Sequence, residues 1–160
     1  LPDASLTTDI IVGFPGESEE EFRESYEFCL RMKFAALHIF PYSARPGTLA
    51  AQMPGKVSEK VKKQRSSTML DLAASAADEF ALRFMGQTRE VLWEKEVRHG
   101  SGIYSGLTDN YIRTYARSSR DIANTISKVQ MTDHAGNTGH SFISSSKGRK
   151  NGGLWGDLLA

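Results

Sequence analysis

The 160-residue chain has a single cysteine, Cys29, and that scarcity settles several questions. One thiol excludes a disulfide framework and a cysteine-rich metal site within this chain. No apolar run is long enough to span a bilayer and no signal-peptide pattern is present, so a cytoplasmic location with no membrane partner is expected. Neither charge sign dominates: 20 Lys+Arg stand against 19 Asp+Glu, a net +1 with His neutral, which argues against a strong polyanion binder. Nucleotide signatures are missing as well. No Walker lysine follows the glycines of "IIVGFPGES", and their spacing is not G-x-G-x-x-G. His99, His134 and His140 have no ligand spacing to one another, so no metal site is expected, and no nucleophile–base–orienter set is visible. The chain opens "LPDASLTTD", without Met and almost directly in a strand, and reads as part of something longer.

Apolar residues make up 39% and charged residues 24% of the sequence, enough for a packed core. The charge is uneven along it. Residues 1–86 carry 10 Lys+Arg against 12 Asp+Glu, and residues 87–160 carry 10 against 7, so an anionic partner is expected on the second half. Residues 4–14 form a mostly apolar, β-branched run without clean alternation, the pattern of a strand buried on both faces. The turn "GFPGE" follows, and Ser18 with Glu21 fits a capping box. Phe22, Tyr26, Cys29 and Leu30 then recur at helical spacing, with Cys29 on the apolar face as core. "FAALHIF", residues 34–40, is a second short strand. Strand–helix–strand makes a βαβ unit with parallel pairing. Three prolines and two glycines in "PYSARPGTLAAQMPGKV" predict a long irregular loop. Ser58 caps a long helix whose start, "EKVKKQR", reads as solvated and whose stop is Gly86. From Gln87 the short runs "REVLWEKEV", "DNYIRTYA", "ANTISKVQMTD" and "GHSFIS" suggest a small antiparallel barrel. The tail, residues 147–160, is rich in Gly, Ser and Lys and is expected to be disordered, unless Leu154 and Trp155 dock.

Some of these features carry chemistry and a plainer alternative together. The helix after Ser18 offers free N–H groups to an anion, but Glu17, Glu19, Glu20 and Glu21 crowd its start and would repel one. The strand's C-terminal edge is the better place for a ligand. Asp9, inside an apolar strand, is read as buried, either a structural hydrogen-bonding group or a site group. His38, mid-strand, is read as a packed core residue in preference to a catalyst. In "GLTDNYIRTYAR", Tyr111, Arg113, Tyr115 and Arg117 alternate on one strand face. That pattern suits base stacking with phosphate contact, or equally a solvated face with half-packed tyrosines.

Three stretches, "TDIIVGFPGESEEEF", "LHIFPYSARPGTLAAQMPGKV" and "GLTDNYIR", stand in the order and spacing of the radical-SAM methylthiotransferases, and the chain resembles their C-terminal portion over about residues 3–143. "HIFPYSARPGT" and "TDNY" resemble the branch that converts N6-threonylcarbamoyladenosine in tRNA to its 2-methylthio derivative. The branches acting on isopentenyladenosine or on a ribosomal protein are the alternatives. The resemblance implies an α/β fold: the last parallel βα units of a partial TIM-like barrel, residues 1–86, including a long linking helix. It implies next a TRAM domain, a small OB-like barrel that binds RNA, over residues 87–146. The parent it implies is an enzyme using S-adenosylmethionine and two [4Fe–4S] clusters. Both cysteine sets are absent here, so no cluster ligands are expected in this chain and it should be inactive alone. Ile11 and Gly13 match a G-x-I-x-G-x-x-E type strand motif beside the adenine, and Asp9 and Gly16 replace its first glycine and its acid. The implied cofactor-bordering set is Asp9, Ile11, Gly13, Phe40, Pro41 and Tyr42. The implied RNA-docking set is Arg45, Asn110, Tyr111, Arg113 and Tyr115, with a tRNA anticodon stem-loop as partner. A non-catalytic RNA-binding adaptor is the competing reading. Cut from its neighbours, a partial barrel leaves a sheet edge through which the chain is expected to self-associate.

Overall fold

The computed structural model describes residues 3–135 and 153–159. The run "GHSFIS" and much of the expected tail lie outside these residues. The chain divides into two compact units, one of Leu6–Ala77 and one of Leu1–Ser5 with Asp78–Ala160. The division falls inside the long helix, ahead of the Gly86 position expected for it.

The first unit runs β1 (Thr7–Val12), α1 (Glu19–Met32), β2 (Ala36–Pro41), α2 (Leu49–Gln52) and most of α3 (Glu59–Leu82). β1 and β2 pair in parallel, from Thr7 opposite Ala36 to Val12 opposite Pro41. Parallel neighbours need a crossover, and α1 supplies it. The Ser18–Glu21 capping box starts that helix: Glu21 N–H donates to Ser18 Oγ at 3.1 Å, and Ser18 N–H donates to Glu21 Oε2 at 2.8 Å. One face of the sheet is covered. Val12 and Leu37 are buried with Phe22 and Cys29 of α1 and with Met69 and Leu72 of α3, and Ile10 and Ile39 pack against them.

The other face is open, which corrects the expectation of a strand buried on both sides. Asp9, Ile11, His38 and Phe40 all lie on it and are exposed, so Asp9 is not a buried carboxylate and His38 is not a core histidine. Two further expectations change. The loop after β2 holds one helical turn, α2, capped by Thr48 Oγ1, which accepts from Ala51 N–H at 3.3 Å. The polar start of α3 is not wholly solvated, because Lys62 and Arg65 turn inward and are buried.

The second unit is a closed five-stranded barrel in the order β3-β4-β5-β7-β6. Its strands are β3 (Thr88–Glu96), β4 (Ile103–Thr108), β5 (Arg113–Arg117), β6 (Ile126–His134) and β7 (Leu154–Leu158). Alternation along β3 and β6 turns Val91, Trp93, Val129 and Met131 inward, each at or near complete burial. The barrel is mixed, not antiparallel throughout, because β5 and β7 run parallel.

β7 also corrects the expectation of a disordered tail. Leu154 and Trp155 are buried, and the strand closes the barrel between β5 and β6. Glycine makes the closure possible. A Cβ on Gly156 would run into the Val129 side chain and the Gln130 carbonyl, so only a bare backbone fits there.

Among the described residues, no helix is long and apolar enough to cross a membrane.

Candidate functional site

In the first unit, the C-terminal ends of β1 and β2 meet in a cleft of about 440 Å³. Gly13, Pro41 and Tyr42 line it, with Val57, Lys56 and Lys62. Gly13 follows β1 directly and has φ +73°. A Cβ there would overlap the Lys62 side chain, so glycine is required for both conformation and space. Tyr42 N–H donates to the Val12 carbonyl at 2.8 Å, and Lys62 Nζ donates to the Tyr42 carbonyl at 3.2 Å. The Tyr42 ring stands edge-on to Phe14 with centroids 5.2 Å apart, and its hydroxyl is buried without a hydrogen-bond partner among the described residues. Lys62 also pairs with Glu59.

The glycine loop before α1 holds an anion of its own. Gly13 N–H donates to Glu17 Oε2 at 2.5 Å, and Arg65 Nη1 reaches the same oxygen at 2.6 Å. Arg65 also donates to the Glu17 carbonyl at 3.0 Å and to Glu19 Oε2 at 3.1 Å. The amide and the guanidinium that would greet a phosphate are thus engaged by a carboxylate. The glutamates at this helix start are plain in the sequence, but Arg65, 48 positions from Glu17, is marked by no local pattern.

The structure divides the six residues expected beside a cofactor. Gly13, Pro41 and Tyr42 line the cleft. Asp9, Ile11 and Phe40 lie instead on the open sheet face, with Ile11 opposite Phe40. Arg45 is exposed in the loop before α2. No cluster site fits the residues present: Cys29 is the only thiol, it is buried in the core, and burial pushes its pKa up, away from the thiolate a metal needs. No group of three or more His, Cys, Asp and Glu side chains is placed to hold a metal among the described residues.

In the barrel unit, Tyr111 lies in the turn between β4 and β5 and not on a strand. It has φ +64°, a conformation unusual for a bulky residue, and is 77% exposed. Buried side chains hold this turn. Ile112 N–H donates to Thr108 Oγ1 at 2.9 Å, Thr108 Oγ1 donates to Asn110 Oδ1 at 2.6 Å, and Tyr111 N–H donates to the Thr108 carbonyl at 3.0 Å. Asn110 is therefore buried inside the turn, with its amide N–H donating to the Asp3 carbonyl at 3.2 Å.

Tyr115 corrects the expectation of a one-face ladder of stacking aromatics. Only 5% exposed, it packs into the barrel core with Trp155, Ile103 and Ala135, and burial pushes its phenol pKa up. A ring in that position has no face left for a base. Arg113 is half-exposed and paired with Glu94, which sits at a bulge in β3. The β3–β4 loop is tied by Glu96, whose carboxylate accepts from Gly102 N–H at 2.6 Å and Gly100 N–H at 2.9 Å. Those bonds hold its pKa below the usual carboxylate range.

No family model matches the chain. A threonylcarbamoyladenosine tRNA methylthiotransferase, MtaB, of Bacillus subtilis is 39% identical over 133 residues, 82% of this chain and 30% of the relative. An MtaB of Thermotoga maritima is 40% identical over 112 residues, 70% of this chain and 25% of the relative. A tRNA-2-methylthio-N(6)-dimethylallyladenosine synthase of Pelotomaculum thermopropionicum is 42% identical over 106 residues, 66% of this chain and 24% of the relative. The chain thus spans 24–30% of the length of these relatives, in their C-terminal part. With those identities over most of its length, the chain belongs to the MtaB/MiaB family of tRNA methylthiotransferases.

Proposed function

We propose that the chain is the C-terminal part of a radical-SAM enzyme that adds a methylthio group to N6-threonylcarbamoyladenosine beside the tRNA anticodon. In this reading the α/β unit is the end of a TIM-like barrel and the closed barrel is a TRAM-type RNA-docking domain. Relatives named for both modified adenosines match at 39–42% identity, so the choice of the threonylcarbamoyl branch rests on "HIFPYSARPGT" and "TDNY".

The observation that carries the RNA reading is Tyr111. The backbone of this exposed aromatic residue is held at positive φ by a buried polar turn, so the ring is presented to solvent before any ligand arrives, which lowers the cost of ordering the chain when a base stacks on it. Arg113 stands two residues away with a half-exposed guanidinium for phosphate. Arg45 remains a candidate RNA contact of the other unit, whereas Asn110 acts through the turn it shapes. S-adenosylmethionine supplies the methyl group when bound in the parent. Here Gly13, Pro41 and Tyr42 offer an apolar wall and close backbone to a flat adenine ring, with Ile11 and Phe40 on the neighbouring sheet face. The clusters require thiolates from outside this chain.

A shift assay with an anticodon stem-loop RNA tests the docking role. Tyr111→Ala should weaken binding by about 1–3 kcal/mol, the usual worth of one base stacked on an aromatic ring. Wild-type affinity should fall as salt rises. No affinity at low salt, in this chain or in a longer parent, would sink the RNA role.

A non-catalytic RNA-binding adaptor is the second reading. Two observations support it: Cys29 is solitary and buried, and the second unit is a barrel that closes on itself. The reading frame upstream of Leu1 decides: two three-cysteine sets there make the parent an enzyme.

A further inference from the structure

Asp3 lies in neither a helix nor a strand, yet it meets two side chains of the barrel unit to which it belongs. Its carboxylate accepts from Arg89 Nη2 at 2.5 Å, and its carbonyl accepts from Asn110 Nδ2 at 3.2 Å. Arg89 is largely buried, lies 4.6 Å over the Phe84 ring, and also reaches Asp109 Oδ1 at 3.5 Å and Gln87 Oε1 at 3.3 Å. Asp109 and Asn110 are the two residues immediately before Tyr111. Both are therefore gripped by a cluster whose other half comes from residue 3, more than a hundred positions away. Asn110 has its Oδ1 on Thr108, so without the Asp3 carbonyl its buried N–H group loses the acceptor the structure gives it. An unpaired buried donor costs more than the net worth of an ordinary hydrogen bond.

We propose that Asp3 is a positioning residue of the Tyr111 docking surface, acting through Asn110 and Arg89 to hold the ring in its outward conformation. The inference rests on the RNA reading of Tyr111 and extends that site to a segment ahead of β1. It also gives Arg89 a role the sequence did not suggest. Engaged by two carboxylates and stacked on Phe84, this arginine builds the turn and does not serve as a phosphate contact.

Charge makes the test discriminating. If Asp3 were only an exposed anion near an RNA surface, removing it would tighten RNA binding and steepen the salt dependence. As a positioning residue, its removal weakens binding. The experiment compares Asp3→Ala, Asp3→Asn and wild type in the 160-residue chain, by fluorescence anisotropy with a labelled anticodon stem-loop RNA at two salt concentrations. The same proteins are followed by NMR at the Asn110 side-chain amide and the Tyr111 backbone amide.

Asp3→Ala keeps the backbone carbonyl that accepts from Asn110 but removes the carboxylate that ties this segment to Arg89; with that tie gone, binding should weaken about five-fold, the scale of one net hydrogen bond, with an unchanged salt slope and displaced Asn110 and Tyr111 signals. Asp3→Asn, which still offers Arg89 an oxygen, should recover most of both. In a Tyr111→Ala background, Asp3→Ala should add nothing, because the two act as one unit. Equal or tighter binding by Asp3→Ala, or an undiminished effect in the Tyr111→Ala background, overturns the proposal. If wild type binds no RNA, the RNA reading fails by itself, and the NMR arm then decides the clasp: unmoved Asn110 and Tyr111 signals overturn it.

Discussion

Every strand of the barrel has a neighbour on both sides, whereas β1 and β2 have one neighbour each. The barrel therefore leaves no strand edge unpaired and turns Trp93, Val91 and Val129 into a buried interior. The α/β unit buries one face of its sheet against α1 and α3 and leaves Ile11 and Phe40 more than half exposed on the other. Its interior is fixed in part by a polar device, the buried Arg65–Glu17 pair. The contrast separates an element whose strands are all paired from one with an exposed apolar sheet face and two unpaired strand edges.

Deep substitutions should break the comparison hardest, one in each unit. Trp93 is fully buried, and Trp93→Ala should cost the barrel about 3–5 kcal/mol, read as a fall in its denaturation midpoint. Arg65→Ala should cost the α/β unit about 3–5 kcal/mol, because Glu17 loses its buried partner. Hydrogen exchange should show each loss confined to its own unit. A loss that spreads evenly through both would mean that the two are one cooperative body.

Gly156→Ala comes next. Overpacking against Val129 and Gln130 should cost about 1–3 kcal/mol and raise exchange in β7 and its two neighbours. Were β7 a loosely attached tail, this change would be silent. Phe40→Ser, on the open sheet face, should shift stability by less than about 0.5 kcal/mol while reducing self-association in sedimentation equilibrium. A core-sized cost would show that the face is covered.

The smallest effect concerns pH. The folded-state pKa of Glu96 is depressed by the Gly102 and Gly100 amides, so its contribution to loop order is present at neutral pH and is lost as pH falls through that lowered value. Amide exchange at Gly100 and Gly102, corrected for the intrinsic rate, should accelerate in that acid range. Glu96→Gln should remove the pH dependence.

The sequence disclosed what local rules govern. The Ser18–Glu21 box, the parallel strand–helix–strand unit and the helical stripe through Phe22 and Cys29 follow from spacing alone. What escaped it depends on distant partners. Nothing near Gly156 in the chain says that Val129 will press against it, and glycine carries no hydrophobic pattern to mark a strand. Alternation puts Tyr111 and Tyr115 on one face only if the strand includes Tyr111. It starts at Arg113, so one ring goes to solvent and the other to the core. Arg65 was hidden in a run of lysines and polar residues whose inward face only the fold reveals. Asp9 and Ile11 looked buried because an apolar run without alternation cannot tell which of its faces receives a cover.

The closing strand has a consequence in time as well as in space. β3, β4 and β5 form a meander of near neighbours along the chain, but β5 and β6 acquire their shared neighbour only when residues 154–158 arrive. During synthesis the growing polypeptide therefore carries two unpaired strand edges until residues 154–158 have left the ribosome. The rate at which β7 finds its slot then sets how long the nascent protein stays open to chaperones and to pairing with other chains.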